Sequence, residues 1–192
     1  ARSVVVGKNQ NPWQEADVRS LVDAQGVLAR RVTGGGAGFH DEGNLNYSYF
    51  CRRDVYDSCQ VLGWVLDALG SCGVRAARLG KNGLGVDGRK MSGSAFCYRG
   101  NSVLHHGTLL VTADLEMMSR VLTSGASAFE THAVPSIPAR VLNLETICPR
   151  LSVEELGQVL ASVFSAVHGG VESVLSVDDL EPETMDSAHQ DF

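Results

Sequence analysis

Three consecutive glycines at positions 34–36 are the most informative feature of this chain. They follow a strand-like run and allow backbone conformations that residues with a Cβ rarely adopt. The run from Arg30 to Asp41 reads Arg-Arg-Val-Thr-Gly-Gly-Gly-Ala-Gly-Phe-His-Asp. Without a Cβ, glycine adopts positive φ and approaches a ligand closely, and successive N–H groups can converge on one anion. Arg30 and Arg31 would add charge-assisted contacts to the same oxygens. The run predicts either an anion-binding loop or a turn beside two surface arginines.

Composition limits the class of protein. A chain of 192 residues with 44% hydrophobic residues suits one globular domain. The net charge of -6 argues against a nucleic-acid partner, although basic residues concentrate between positions 30 and 99 and acidic ones between 178 and 191. Five cysteines without a Cys-x-x-Cys pair argue against a disulfide scaffold or structural zinc. We therefore expect a reducing compartment, the cytoplasm or, in a eukaryote, the mitochondrial matrix, and no membrane partner.

Hydrophobic periodicity predicts alternating strands and helices. Strands are expected at 3–6, 27–32 and 44–50, with several short ones between 75 and 111, and helices at 13–24, 55–69, 114–122 and 153–167. Asp54 is a plausible N-cap for the second helix, and Ser152 with Glu155 forms a capping box for the last. These elements predict an α+β domain with a mixed β-sheet packed with helices and glycine loops at strand ends.

The sequence argues against three familiar site types. The glycines at 83, 85 and 88 match a dinucleotide fingerprint in spacing, but the residues after them make a poor helix start. A Gly-x-x-x-x-Gly-Lys-Ser/Thr phosphate loop does not occur in the sequence. His105 and His106 are adjacent in a predicted strand, so they point to opposite faces and do not chelate one ion together.

Several ordered motifs carry a resemblance to a known family. Residues 30–44, 88–95 and 105–110 read much like R-R-x-S/T-G-G-G-x-x-F/Y-H-D-x-G-N, G-x-K-x-S-G-S/T-A and H-H-G-T-L-L. Residues 10–15 and 136–144 add two further matches. In these motifs the chain resembles the lipoate–protein ligase and lipoyltransferase family, over about three quarters of its length.

The resemblance implies a fold, a reaction and partners. It predicts a single catalytic domain over residues 1–192 with the biotin/lipoate ligase-like fold. Such enzymes use ATP and Mg²⁺ to convert lipoic acid to lipoyl-AMP. They then transfer the lipoyl group to a lysine of the carrier domains of 2-oxoacid dehydrogenases or of the glycine-cleavage H protein.

The resemblance also implies the site residues. Lys90 corresponds to the catalytic lysine, whose ammonium would stabilise charge on the α-phosphate and carbonyl oxygens. A solvated surface lysine at 90 and a purely structural histidine at 40 are the alternatives. The lipoyl-AMP and ATP contacts are expected from Arg31, Thr33, Gly34, Gly35, Gly36, Phe39, His40, Asn46, Asn82, Lys90, Ser92, Gly93, Ser94, Ala95, His106, Gly107 and Thr108.

Two departures from the family pattern bear on activation. Gly83 stands where the family's G-x-N-D-L/I motif has an acidic residue, and Asp87 is the nearest candidate to hold Mg²⁺. The sequence also lacks the family's preceding segment of some thirty residues and the C-terminal accessory domain of larger ligases. We therefore expect either a trimmed domain, a chain completed by a separate accessory polypeptide, or a relative that has lost activation.

Three other functions stay open at this stage. A transfer-only lipoyltransferase would use preformed lipoyl-AMP. A cysteine-dependent octanoyl or lipoyl transferase would use Cys97 or Cys148 as its nucleophile. A non-catalytic module would bind a lipoyl group or a carrier domain without transfer.

Overall fold

Strands and helices alternate along the chain, as expected for an α+β protein. The structure is a computed structural model and describes residues 2–122, 132–170 and 173. Its elements are β1 (Ser3–Val6), α1 (Pro12–Glu15), α2 (Val18–Asp23), β2 (Val27–Arg30), β3 (Gly38–His40), β4 (Asn44–Arg52), α3 (Ser58–Ser71), β5 (Ala77–Leu79), β6 (Gly83–Val86), β7 (Arg89–Arg99), β8 (Ser102–Leu110), α4 (Leu115–Val121), a 3-10 turn (Leu144–Thr146) and α5 (Val153–His168). Of these helices, none is long and apolar enough to cross a membrane.

The described strands form two sheets, and the smaller one is mixed, as the sequence predicts. The large sheet is antiparallel, with the order β4-β8-β7-β6-β5, and the small sheet has the order β2-β1-β3. Strand β1 runs parallel to β2 and antiparallel to β3, so both of its edges are paired. The chain leaves the small sheet at a tight turn, where a side chain at Gly43 would collide with the backbone of Thr112. That turn directs β4 into the second sheet.

Each sheet covers its own buried cluster. In the large sheet, alternate residues of β8 are buried, as expected for a strand with one face on a core. That face packs against α3 and α5, and its cluster includes Leu62, Val65, Leu69, Leu84, Met91, Leu109 and Leu156. The small sheet packs against α2 and α4 around Val4, Val6, Leu21, Phe39, Met117 and Val121. The two sheets therefore keep separate cores and meet at the loops between them.

Capping residues explain where α3 and α5 begin. The expected start of α3 near position 55 is wrong, because Asp57 rather than Asp54 accepts the N–H of Cys59 at 2.7 Å. Asp54 instead pairs with Arg52 at 2.9 Å. For α5 the predicted N-cap is confirmed, since the Ser152 hydroxyl accepts the N–H of Glu155 at 3.0 Å.

The expected helix over residues 13–24 is two short helices. Ala16 leaves the helical conformation with φ -134° and ψ 135° and forms an isolated bridge with Leu122. Asp17 then caps α2 by accepting the N–H of Ser20 at 3.0 Å. The break brings the end of α1 against the segment that follows α4.

The paired histidines of β8 point to opposite faces, as their positions predict. His105 is fully buried, and its Nδ1 lies 3.0 Å from the hydroxyl of Tyr56. The ring of Phe96 lies edge-on to it. Burial, with a smaller effect from His106, lowers the pKa of His105 to about 4. His105 is therefore a neutral core residue on the helix side of the sheet.

We expect His105 to make the fold sensitive to acid. Its pKa of about 4 lies below its ordinary value of 6.5, so the unfolded chain takes up the proton first as the pH falls. The stability that this residue contributes is complete above its ordinary pKa and falls by about 2 kcal/mol between about pH 7 and pH 5. Urea unfolding of wild type and His105→Gln at both pH values checks this. Parallel pH dependence of the two proteins would contradict it.

Candidate functional site

Arg31 organises the loop that contains the three glycines, here called the glycine loop (residues 33–37). Its Nη2 donates to the carbonyls of Gly34 and Gly36, each at 2.7 Å. Its Nη1 donates to the carbonyl of Val5 at 3.1 Å, and its Nε to the hydroxyl of Thr33 at 3.0 Å. Four of the five guanidinium N–H groups are thus used by the chain itself. Burial lowers the pKa of Arg31.

The glycine loop keeps its own donors available. Two of its carbonyls accept from Arg31, while the N–H groups of Gly34, Gly35 and Gly36 have no partner in the described part of the chain. Gly35 has φ +90°, a conformation that favours glycine. A loop whose carbonyls are held by a cation and whose N–H groups are unpaired suits an anionic ligand.

Arg30 does not serve the glycine loop. Its Nη1 donates to the carbonyls of Gly7, Lys8 and Gln10 at 2.9, 3.1 and 2.9 Å. Arg30 thus holds the turn after β1 through Nη1, and no hydrogen bond joins it to the glycine loop among the described residues. That turn supports the glycine loop from below, since a side chain at Gly7 would collide with the carbonyl of Gly35.

Thr33 joins the glycine loop to the large sheet. It is 1% exposed, and its hydroxyl lies 2.6 Å from Nε2 of His106 in β8. Burial, followed by the charge of Arg31 and by His40, lowers the pKa of His106. The imidazole is therefore uncharged at neutral pH, and the Thr33 hydroxyl and the His106 ring form a hydrogen bond between two uncharged groups.

One face of the large sheet lies under the glycine loop and is called the site face. Gly93 and Thr108 are paired across β7 and β8, and Ala95 pairs with His106 in the next row. Asn46 of β4 pairs with Thr108 from the other side. Because alternate residues share a face, these five positions line it together. A Cβ at Gly35 would lie 3.8 Å from that of Ala95, so the loop lies directly over this face.

Lys90 extends across the same face. Its Nζ lies 3.3 Å from the position that a Cβ on Gly93 would occupy, and its Cε lies 3.5 Å from the corresponding position on Gly83. The two glycines thus leave room for the lysine side chain. Burial lowers its pKa, and within residues 2–122 and 132–170 no carboxylate forms an ion pair with it. This geometry leaves a half-buried ammonium available to a ligand.

Other predicted contacts fall on the opposite face of the sheet. Ser92 is 2% exposed on the core side, and a side chain at Gly107 would collide with Tyr47, which packs on that core. Ser94 donates from Oγ to the carbonyl of Asn82 at 3.1 Å. Phe39 lies in the core of the small sheet. The structure therefore does not bring these side chains to the glycine loop.

His40 and Asn46 connect the two sheets beside the site. His40 Nδ1 lies 3.1 Å from Oδ1 of Asn46, which joins the end of β3 to β4. Burial is the main cause that lowers the pKa of His40, with a smaller contribution from Arg31. The neutral ring thus supports the border of the site face.

The site contains donors for an anionic organic ligand and no cluster of metal-ligating side chains in the described part of the chain. Asp87, the expected metal candidate, is exposed in the β6–β7 turn with φ 51°. Over the residues that the structure places, no group of three or more His, Cys, Asp or Glu side chains could hold a metal. The unpaired loop N–H groups and the Lys90 ammonium fit a phosphate or carboxylate.

Two residues without a predicted role belong to the site's support. Gln10, 4% exposed, accepts the N–H of Gly7 at 2.9 Å and donates to the hydroxyl of Ser136 at 3.0 Å. That hydroxyl also accepts the N–H of Ala37 at 2.8 Å. Both residues occur in the matched motifs, but contacts that span 126 and 99 residues leave no local signal in the sequence.

Comparison with known proteins now decides the family. The family model described as the lipoyl protein ligase A/B catalytic domain matches residues 1–165. This chain belongs to the lipoyl protein ligase A/B catalytic domain family. The sequence-based resemblance and the expected ligase-like fold are therefore confirmed.

Solved members of lipoylation systems share the fold of this lipoyl ligase domain. P. falciparum LipL1 in complex with lipoate is 28% identical, with a TM-score of 0.78, over 91% of this chain and 49% of that protein. This chain thus spans about half of the length of LipL1. The bipartite lipoate protein ligase of Thermoplasma acidophilum is 26% identical (TM-score 0.78, 99% and 76% coverage). A lipoate-protein ligase A bound with ATP is 27% identical (TM-score 0.77, 99% and 78% coverage).

We expect Thr33→Val to weaken the junction between the glycine loop and β8. The change keeps the side-chain shape but leaves Arg31 Nε and His106 Nε2 without their partner, which costs about 1–3 kcal/mol of unfolding free energy. Thr112→Val, an exposed position next to β8, is the matched control. Urea unfolding measures both variants. A Thr33→Val protein as stable as its control would show that the hydroxyl does not hold the loop.

Proposed function

We propose that this chain is the catalytic domain of an ATP-dependent lipoate–protein ligase. The observation that carries the proposal is the Lys90 ammonium, which lies over Gly83 and Gly93 on the site face without an acidic partner in the described part. The glycine loop covers this face with its unpaired N–H groups. Relatives of the same fold are described as bound to lipoate and to ATP, respectively.

The first step joins lipoic acid to the nucleotide. A carboxylate oxygen of lipoic acid attacks the α-phosphorus of ATP, the bond to the β-phosphate breaks, and pyrophosphate leaves. Negative charge on the α-phosphate oxygens increases during this step, so preorganised donors stabilise its transition state. Lys90 and the N–H groups of Gly34, Gly35 and Gly36 supply these donors. Mg²⁺ held by the ATP phosphates would add charge stabilisation in this step, while no group of three or more His, Cys, Asp or Glu among the described residues could hold it alone.

The second step transfers the lipoyl group. The ε-amine of a carrier-domain lysine attacks the lipoyl carbonyl of the adenylate, the amine loses a proton, and AMP leaves as the amide forms. Lys90 stabilises the carbonyl oxygen as its charge develops. His106 and His40 are neutral because burial lowers their pKa values. The positive charge around the ligand therefore comes from Lys90 and Arg31.

The acceptor is a lipoyl carrier domain, as in 2-oxoacid dehydrogenases or the glycine-cleavage H protein. The Thermoplasma acidophilum relative is described as a bipartite ligase together with its E2 lipoyl domain. By this analogy the present domain would work with a carrier domain and with a separate accessory polypeptide. Its site of action is then a reducing compartment where these complexes are made.

A transfer-only enzyme is the second candidate, because Gly83 stands beside Lys90 where an acidic residue was expected. Lipoate-dependent exchange of pyrophosphate into ATP separates the two, since only a chain that makes the adenylate catalyses it. We expect exchange. Transfer from added lipoyl-AMP without exchange would establish the transfer-only enzyme. Binding of lipoyl-AMP with no transfer to a carrier domain would establish a non-catalytic module.

We expect Lys90→Ala to lower lipoyl transfer at least about 100-fold, the usual effect of removing one preorganised donor. Mass spectrometry of an apo lipoyl domain incubated with lipoyl-AMP measures the rate. Lys81→Ala, in the exposed turn between β5 and β6, is the matched control and should transfer like wild type. Transfer by Lys90→Ala within twofold of the control would remove Lys90 from the mechanism.

The cysteine alternative is tested in the same assay. Cys148 packs against the core on the helix side of the large sheet, whereas Cys97 follows Ala95 on the site face by two residues. Only Cys97 is thus placed to meet an acyl group. Cys97→Ala should transfer like wild type, and no acyl-cysteine should form with octanoyl carrier protein. A stable acyl group on Cys97 would favour the thioester route.

A further inference from the structure

Ser136 lies at the junction of three segments around the glycine loop. Its hydroxyl accepts the N–H of Ala37 at 2.8 Å and the Nε2 of Gln10 at 3.0 Å. Its own N–H donates to Oε1 of Glu15 at 3.1 Å. Gln10 and Glu15 are buried to 4% and 1% exposure, so two buried side chains hold this one serine in place.

The position of the hydroxyl is closely defined on the loop side. A Cβ on Gly36 would lie 2.9 Å from Ser136 Oγ, which is closer than such atoms normally approach. Glycine at 36 is therefore required for the serine to reach the N–H of Ala37. The loop backbone at Gly36 and the side chain of Ser136 therefore pack closely, and a side chain at position 36 would displace the serine hydroxyl.

The hydroxyl hydrogen of Ser136 is not used in any hydrogen bond to the described residues. A serine hydroxyl has two acceptor lone pairs and one O–H donor. Ala37 and Gln10 occupy both lone pairs, while no acceptor for the O–H hydrogen occurs among the described residues. With both lone pairs directed at fixed donors, the hydrogen is available to an acceptor other than the described residues. An anion held by the adjacent loop N–H groups supplies such an acceptor.

The same segment also reaches Lys90. The N–H of Lys90 donates to the carbonyl of Arg140 at 2.7 Å, and the N–H of Leu142 donates to the carbonyl of Lys90 at 3.0 Å. Ser136 at the loop and Arg140 at the lysine are thus four positions apart in the sequence. The segment that contains Ser136 thus contacts both the glycine loop and the backbone of Lys90.

We infer that Ser136 is a further binding residue of the site, which fixes the glycine loop through Ala37 and donates its O–H to the anion that the loop holds. This inference rests on the proposed function, under which that anion is the phosphate of lipoyl-AMP. Ser136 would thus contribute in two ways: its Oγ accepts the N–H of Ala37 at the end of the glycine loop, and its O–H would add one donor to those of the loop and Lys90.

The test compares wild type with Ser136→Ala and Ser136→Thr. Calorimetry with lipoyl-AMP should show the Kd of Ser136→Ala raised about tenfold or more, and that of Ser136→Thr within about threefold of wild type, because threonine keeps the hydroxyl. Ser162→Ala is the matched control on the exposed face of α5 and should bind like wild type. Equal affinity of Ser136→Ala and wild type would overturn the inference.

Amide hydrogen exchange tests the loop without any ligand. The N–H of Ala37 should exchange faster in Ser136→Ala than in wild type or Ser162→Ala, because its acceptor is gone. Unchanged exchange at Ala37 would overturn the inference whatever the affinity. If wild type itself does not bind lipoyl-AMP, the proposed function fails and the inference fails with it. If wild type binds and Ser136→Ala binds equally well, only the inference fails.

A double-mutant cycle gives an independent check. Gly36→Ala should weaken lipoyl-AMP binding in the wild-type background, because its Cβ displaces the serine hydroxyl. In the Ser136→Ala background the same change should cost clearly less, since that hydroxyl is already absent. Equal costs in the two backgrounds would show that Gly36 and Ser136 act separately and would overturn the inference.

Discussion

The hydrogen bonds from Arg31 to the carbonyls of Gly34 and Gly36 are the interaction on which the site depends. A half-buried guanidinium is stable only when its N–H groups have acceptors, and here the glycine loop provides two of them. The loop in turn is fixed with its N–H groups unpaired. In the proposed function, the charge of Arg31 thus acts on the ligand partly through the backbone that it orients, rather than only by direct contact.

This arrangement also explains why the site forms where the two sheets meet. Thr33 connects the loop to His106 of the large sheet, and Lys90 crosses the site face over two glycines. Neither histidine beside the loop carries charge at neutral pH, because burial lowers both pKa values. The proposed chemistry therefore uses Lys90 and backbone N–H groups as its donors, and the imidazoles serve as neutral supports.

Local features of the sequence predicted local structure well, as shown by the cap at Ser152 and by the opposite faces of His105 and His106. Other features depend on distant contacts. The role of Arg30 is set by carbonyls some twenty residues away, and that of Ser136 by Ala37. The division into two sheets follows from strand pairing, which hydrophobic alternation does not specify. The motifs thus indicated some of the residues that gather at the site, but not which of them support the loop or lie on the opposite face.

The most direct test of the central claim is a titration with lipoyl-AMP followed by the amide resonances of the glycine loop. If the loop binds the anion through its unpaired donors, the signals of Gly34, Gly35 and Gly36 shift downfield as the complex forms, while the exposed turn at Gly100 stays unchanged. Saturable binding that leaves these three signals in place would contradict the account.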